Sequence, residues 1–226
     1  MKAPYSEMKF RGMHSSPSHS PYAPQWNADI GMTMVDDIDL DLLSKTCLEK
    51  EREINKHPVS IDNDGEESDG GTGLGRNATT AKFQHYNVLK WNTNETNKLK
   101  YIIKKKLVEY NNNFNNKTPV EIWIHCWVNI MRWGQKIKPH FHRNDPYSYL
   151  SGHFSVQVNN TSTCYMSPIN QLNNPDIIEN PNVSGNMTLF PSYIHHYTTR
   201  HYSFKPRITI AFDLNIKKTL DNSILL

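Results

Sequence analysis

Val120-Glu121-Ile122-Trp123-Ile124-His125-Cys126-Trp127-Val128-Asn129-Ile130-Met131 has two alternating faces of different kinds. Val120, Ile122, Ile124, Cys126, Val128 and Ile130 are all apolar, whereas Glu121, Trp123, His125, Trp127, Asn129 and Met131 are mostly aromatic or polar. Side chains along a β-strand alternate between faces with a period of two. The pattern therefore predicts a strand whose apolar face packs under helices. Its Trp/His/Asn face suits neither bulk water nor a plain core, and fits the interior of a barrel that holds a ligand.

Further short alternating runs follow at 136–142, 150–158, 163–166, 186–190 and 207–214, separated by Pro, Asn, Ser and Gly. Strands with turn signals and no intervening helices point to an antiparallel sandwich or barrel, and 119–216 is long enough for one eight-stranded jelly roll. The expected fold class is mainly β with flanking helices. Residues 217–226 are left as a C-terminal tail.

On the N-terminal side, 29–118 reads as a helical and extended region that packs on the barrel. Ile30–Val35 suits a short strand, and Asp36–His57 suits an amphipathic helix ending near Pro58. Lys82–Trp91 reads as extended. Leu99, Ile102, Ile103, Leu107 and Tyr110 fall at helical spacings, so Glu95–Tyr110 is a helix. Residues 62–76 are acidic and then glycine-rich, without the strand and Lys-Ser/Thr of a phosphate loop, and read as a flexible loop. Residues 1–28, rich in Ser, Pro and His, read as a disordered or loosely attached tail.

A net charge of +3, from 25 basic and 22 acidic residues, is too balanced to indicate a nucleic-acid partner. Lys104-Lys105-Lys106 reads as a solvated helix surface. No apolar run suggests a signal peptide or a membrane span. Three cysteines without a CxxC argue against a disulfide framework, and the reducing cytoplasm is the expected compartment.

Arg207, Thr209, Ala211 and Asp213 share one face of the last run, opposite Ile208, Ile210 and Phe212. An arginine turned inward is costly without an anion. A carboxylate ligand would satisfy its fork, with the Thr209 hydroxyl beside it; the plain alternative is an Arg–Asp pair on a solvated face. His140 and His142, two apart on an extended segment, point the same way and could chelate one metal. A third ligand could come from His195-His196. Two histidines and a carboxylate with open positions is the usual non-haem Fe(II) arrangement. His125 and His153 could face the interior, where filling space is the simpler role.

Trp127-Val128-Asn129, Pro139-His140-Phe141-His142, Leu150-Ser151-Gly152-His153-Phe154, Gly185–His196 with its Phe190-Pro191-Ser192, and Arg207–Phe212 occur in an order and spacing that has a parallel. Residues 121–214 resemble the 2-oxoglutarate/Fe(II) oxygenases of marine bacteria and their phages, relatives of the prolyl hydroxylase branch of the double-stranded β-helix superfamily. The Ile30–Trp91 region is similar only in outline.

The resemblance implies a jelly-roll, cupin-like core and Fe(II) held by His140, His142 and His196, with His196 rather than His195 as the distal ligand. It implies 2-oxoglutarate paired with Arg207, Thr209 in the hydroxyl position and Asn129 as an added contact. The superfamily's usual motif is His-x-Asp, whereas this chain has His-x-His. Asp145 is the alternative carboxylate, but the resembling family favours three histidines. Trp123, Trp127 and Tyr193 are candidate walls of a substrate pocket. The implied activity is dioxygenase hydroxylation, with O2 and an unknown substrate (protein side chain, amino acid, nucleobase or small metabolite) and no membrane partner. A cytoplasmic location would mean the host's for a phage protein. The alternative is a cupin-like metal-binding or scaffold protein without oxygenase activity.

Overall fold

The computed structural model describes residues 5–14, 21–22, 26–62, 64–142, 146–168 and 176–226. Chain order runs β1 (Lys9–His14), β2 (Asn27–Met34), α1 (Leu40–Ile54), β3 (Ser60–Ile61), β4 (Glu67–Ser68), two 3-10 turns (Thr79–His85, Val88–Trp91) and α2 (Asn94–Asn113). The remaining elements are β5 (Trp123–Met131), β6 (Ser148–Gln157), β7 (Ser162–Met166), β8 (Ile177–Pro181), β9 (Asn186–Pro191), β10 (His196–Thr198), β11 (Arg207–Asn215) and β12 (Ile224–Leu225).

A seven-stranded sheet is ordered β1-β2-β9-β6-β11-β5-β12, and a three-stranded sheet β10-β7-β8. Neighbouring strands in both are antiparallel. A large antiparallel sheet with a small one packed on it forms the jelly roll that the short runs predict. The helices cover one face of the large sheet. Ile122, Ile124, Cys126, Val128 and Ile130 pack there with Ile208, Ile210 and Phe212, against Leu43 and Cys47 of α1 and Leu99, Ile103 and Leu107 of α2. Val120, expected on the same face, is instead fully exposed, because it lies before the start of β5. On the other face of the large sheet, Met13, Ala28, Ile30 and Phe190 meet Tyr165 and Ile178 of the small sheet.

Both helices begin on side-chain caps, which satisfy amide groups left without partners in the first turn. Asp39 accepts from Leu42 N, and Thr93 forms a capping box with Thr96. Further expectations are corrected. The loosely attached tail is a built part of the sheet over Lys9–His14, where β1 pairs with β2. Lys106, expected on a solvated face, explains part of this. Its fully buried ammonium donates to Ser6 O at 2.5 Å and Glu109 Oε2 at 2.6 Å and sits over the Tyr5 ring, while Glu109 accepts from Met8 N.

Lys82–Trp91 is not extended but folds into the two 3-10 turns. The cause is the edge of β5, which β12 covers only at Trp123 and Ile124. Further along that edge, Thr79 Oγ1 donates to Val128 O at 2.6 Å and Val128 N donates to Tyr86 Oη at 2.9 Å. The C-terminal tail likewise contributes a strand, β12, and the 62–76 segment starts from a β3–β4 hairpin.

Gly152 on β6 has no room for a side chain. A Cβ there would lie 2.4 Å from both the Thr188 carbonyl oxygen and the Phe212 ring. Gly152→Ala is expected to lower unfolding free energy by about 1–3 kcal/mol in denaturant melts, as overpacking of a filled core does.

Candidate metal and co-substrate site

His140 and His142 do not lie on a regular strand. They ride an extended segment laid along β10 and the turn before it. His140 N donates to His196 O at 3.0 Å, His196 N returns to His140 O at 2.8 Å, and His142 N donates to Ser192 O at 3.2 Å. This ribbon brings the pair against His196. The ligand atoms of the three imidazoles lie within 4.8 Å of one another, close enough to share one ion.

The ring tautomers are set by what each Nδ1 meets. His140 Nδ1 lies 2.9 Å from Lys138 O, His196 Nδ1 lies 3.0 Å from Ile194 O, and His142 Nδ1 lies 2.6 Å from Asp213 Oδ1. All three acceptors are oxygens, so each Nδ1 carries a proton and Nε2 is the atom of each ring left to meet a metal. Burial, then the neighbouring His142, push His140 down to about 4. Burial, then His140, push His196 well below its ordinary value. Both rings are neutral at neutral pH, as metal ligands must be.

Arg207 is 2% exposed. Its Nε donates to Thr161 Oγ1 at 3.1 Å, and its Nη1 donates to Thr209 Oγ1 at 3.3 Å and to Met131 Sδ at 3.6 Å. Among the described residues no carboxylate pairs with it. Burial pulls the guanidinium down to about 10, which leaves it charged at neutral pH. The solvated Arg–Asp pair is therefore ruled out: Asp213 faces His142 instead.

One cavity of about 100 Å³ is lined by His140, His142 and His196 together with Arg207, Thr209 and Asn129. Inside it, Asn129 Oδ1, His153 Nδ1 and Thr80 Oγ1 are buried without a hydrogen-bond partner among the described residues. Unsatisfied buried polar atoms facing a cavity beside an unpaired cation fit a polar anionic occupant.

Of the aromatic candidates, Trp127 lines this cavity, whereas Trp123 and Tyr193 do not. Trp123 sits under Lys218, and the Tyr193 hydroxyl turns to Asn27 O at the surface. His153 also lines it, with Nε2 2.9 Å from the Tyr165 hydroxyl. His125 lies against Phe83 O. Asp145, the alternative carboxylate, lies outside the described residues.

Three contributions were missed from sequence. Phe83 and Thr80 enter on the first 3-10 turn, and Asp69, Gly70 and Thr72 come from the glycine-rich segment, which Lys138 N ties down by donating to Thr72 O at 2.8 Å. Nothing in the local pattern of those residues signals a site. Asp213 was legible only as a member of the Arg207 face. Burial acts to raise its carboxyl, but His142 and the Ser151 hydroxyl outweigh that and hold it below its ordinary value.

Residues 125–213 match the sequence family described as "Putative 2OG-Fe(II) oxygenase". No curated protein matches the chain at a significant level. Among solved structures, a non-haem α-ketoglutarate-dependent carbocyclase from nogalamycin biosynthesis aligns over 82% of this chain and 79% of its own, at 8% identity and TM-score 0.52. A prolyl-4-hydroxylase from Pseudomonas putida aligns over 80% of this chain and 89% of its own, at 10% identity and TM-score 0.48. A 2OG-Fe(II) oxygenase family oxidoreductase from Burkholderia pseudomallei aligns over 58% of this chain and 63% of its own, at 13% identity and TM-score 0.44. The chain thus spans less than two thirds of that last protein.

The buried imidazoles make the metal-free protein sensitive to acid. Burial, then Arg207, push His153 down to about 3, while its ordinary value is 6.5. A histidine whose folded value is depressed resists protonation only in the folded state, so its contribution is intact above about pH 6.5 and is lost as pH falls. At pH 5 one such ring costs about 2 kcal/mol. The metal-free protein should melt at a lower temperature at pH 5 than at pH 7.5, and His153→Gln should flatten that slope. Equal melting temperatures at both values would contradict the assignment.

Proposed function

We propose, from the match of residues 125–213 to the family described as "Putative 2OG-Fe(II) oxygenase", that this protein is a non-haem Fe(II)- and 2-oxoglutarate-dependent dioxygenase that hydroxylates a C–H bond. The observation that carries the reading is a buried guanidinium without a carboxylate partner among the described residues, in the same cavity as three imidazoles whose ligand atoms lie close enough to share one ion. A purely structural metal site would not need that cation, and this favours the oxygenase over a cupin-like metal-binding scaffold.

In this reading His140, His142 and His196 hold Fe(II) through Nε2. Arg207 holds the far carboxylate of 2-oxoglutarate, and Thr209 and Thr161 steer its guanidinium by accepting Nη1–H and Nε–H. Asn129 Oδ1 and His153 Nδ1 are at hand for the remaining polar atoms of the co-substrate. When bound, Fe(II) and 2-oxoglutarate supply the oxidative chemistry, in which O2 is reduced, CO2 and succinate are released and a substrate C–H bond is oxidised. The chain's own part is placement and exclusion of water. Trp127, Phe83 and Phe141 wall the cavity, and the tied-down Asp69–Thr72 segment forms its rim.

Fe(II) and 2-oxoglutarate added anaerobically to the purified protein should produce a weak visible charge-transfer band. His196→Ala should abolish it. Arg207→Ala should raise the 2-oxoglutarate concentration needed to reach it by at least about 30-fold, the equivalent of about 2 kcal/mol for losing one partner of a buried charge pair. A band absent from the wild-type protein, or indifferent to both substitutions, would contradict the function.

A further inference from the structure

The three imidazoles are not equivalent. Those of His140 and His196 lean on neutral backbone carbonyls, of Lys138 and Ile194, whereas that of His142 leans on a carboxylate. The His142–Asp213 contact is the shortest of the three, and its side chains are only 5% and 15% exposed. Register fixes the carboxylate there. Asp213 stands opposite His125 on one side and Ser151 on the other, in the interior of the large sheet. Ser151 Oγ donates to the same Oδ1 at 2.6 Å and lies 2.9 Å from Ser192 Oγ. Ser192 in turn accepts His142 N through its carbonyl. The ring and its acceptor are therefore held from both sides.

Three neutral imidazoles would give Fe(II) no anionic ligand, whereas the usual arrangement of two histidines and a carboxylate gives one. A carboxylate that accepts the far N–H of a ligating imidazole pushes electron density onto the ring and fixes its plane, and losing such a partner typically weakens metal binding about 10- to 100-fold. We propose that Asp213 is the positioning residue of the metal centre. It stands one hydrogen bond removed from the ion and supplies through His142 the negative charge that the ligand set lacks, which makes His142 the strongest of the three donors. This rests on the reading of His140, His142 and His196 as the ligands. It also accounts for a buried carboxylate beside a site whose ligands are all histidines, without calling on a fourth ligand.

The test titrates metal-free protein with Co(II) as the probe and follows its visible absorption, with His196→Ala as the control for the site. Asp213→Asn keeps the size and an acceptor oxygen but removes the charge, and is expected to weaken Co(II) binding about 10- to 100-fold. Ser151→Ala leaves the carboxylate in place and is expected to weaken it less. A second measurement needs no variant. In Zn(II)-loaded wild-type protein, long-range 1H–15N correlation should show the His142 Nδ1 proton furthest downfield of the three ligands. Unchanged Co(II) affinity in Asp213→Asn, or three similar Nδ1 proton shifts, would overturn the role of Asp213 alone. Absence of any Co(II) band dependent on His196 would overturn the ligand set, and this proposal with it.

Discussion

The pairing register between β5 and β11 is the constraint from which the site follows. Arg207 stands opposite Met131, Thr209 opposite Asn129, Ala211 opposite Trp127 and Asp213 opposite His125. Because side chains alternate with a period of two, this register puts the guanidinium, a hydroxyl, an amide and a carboxylate on one face and sends Ile208, Ile210 and Phe212 into the helix-covered core. A slip of one residue would exchange the two sets, burying charges under the helices and opening the core. Both strands have neighbours, β6 beside β11 and the 3-10 turns and β12 beside β5, so the register is pinned on both sides.

From that register the cavity acquires its polarity. A cation sits in the interior, and at the other end of the same strand a carboxylate backs one of three imidazoles. Desolvation has opposite consequences for the two groups. For His140 and His196 it removes the proton that would compete with a metal. For Arg207, whose guanidinium stays charged, it creates a demand for an anion that the described protein does not meet. The fold thus holds both groups in states that a metal and a dicarboxylate would stabilise.

Much of this was legible in sequence, for identifiable reasons. Period-two patterns in 120–131 and 207–214 fixed the faces of the central strands, because burial on both sides leaves a strong signal. The His-x-His pair and its distal partner were visible from spacing and resemblance, although the pair rides a bridge to His196 rather than a strand. The 3-10 turns at Thr79–His85 were not legible, since they exist to satisfy the Val128 backbone and nothing in their own residues announces it. Lys106 was misplaced for a similar reason: its acceptors lie about 100 residues away, on Ser6, and on Glu109 one turn along. The Asp213–His142 pair joins residues 71 apart, and only the folded register brings them together.

The decisive measurement is a crystal structure of the protein loaded anaerobically with Fe(II) and 2-oxoglutarate, the iron located by its anomalous scattering. A single iron bound by Nε2 of His140, His142 and His196 is expected, with the far carboxylate of 2-oxoglutarate on the Arg207 guanidinium. Iron bound elsewhere, or an Arg207 that leaves the dicarboxylate untouched while the iron site is filled, would contradict it.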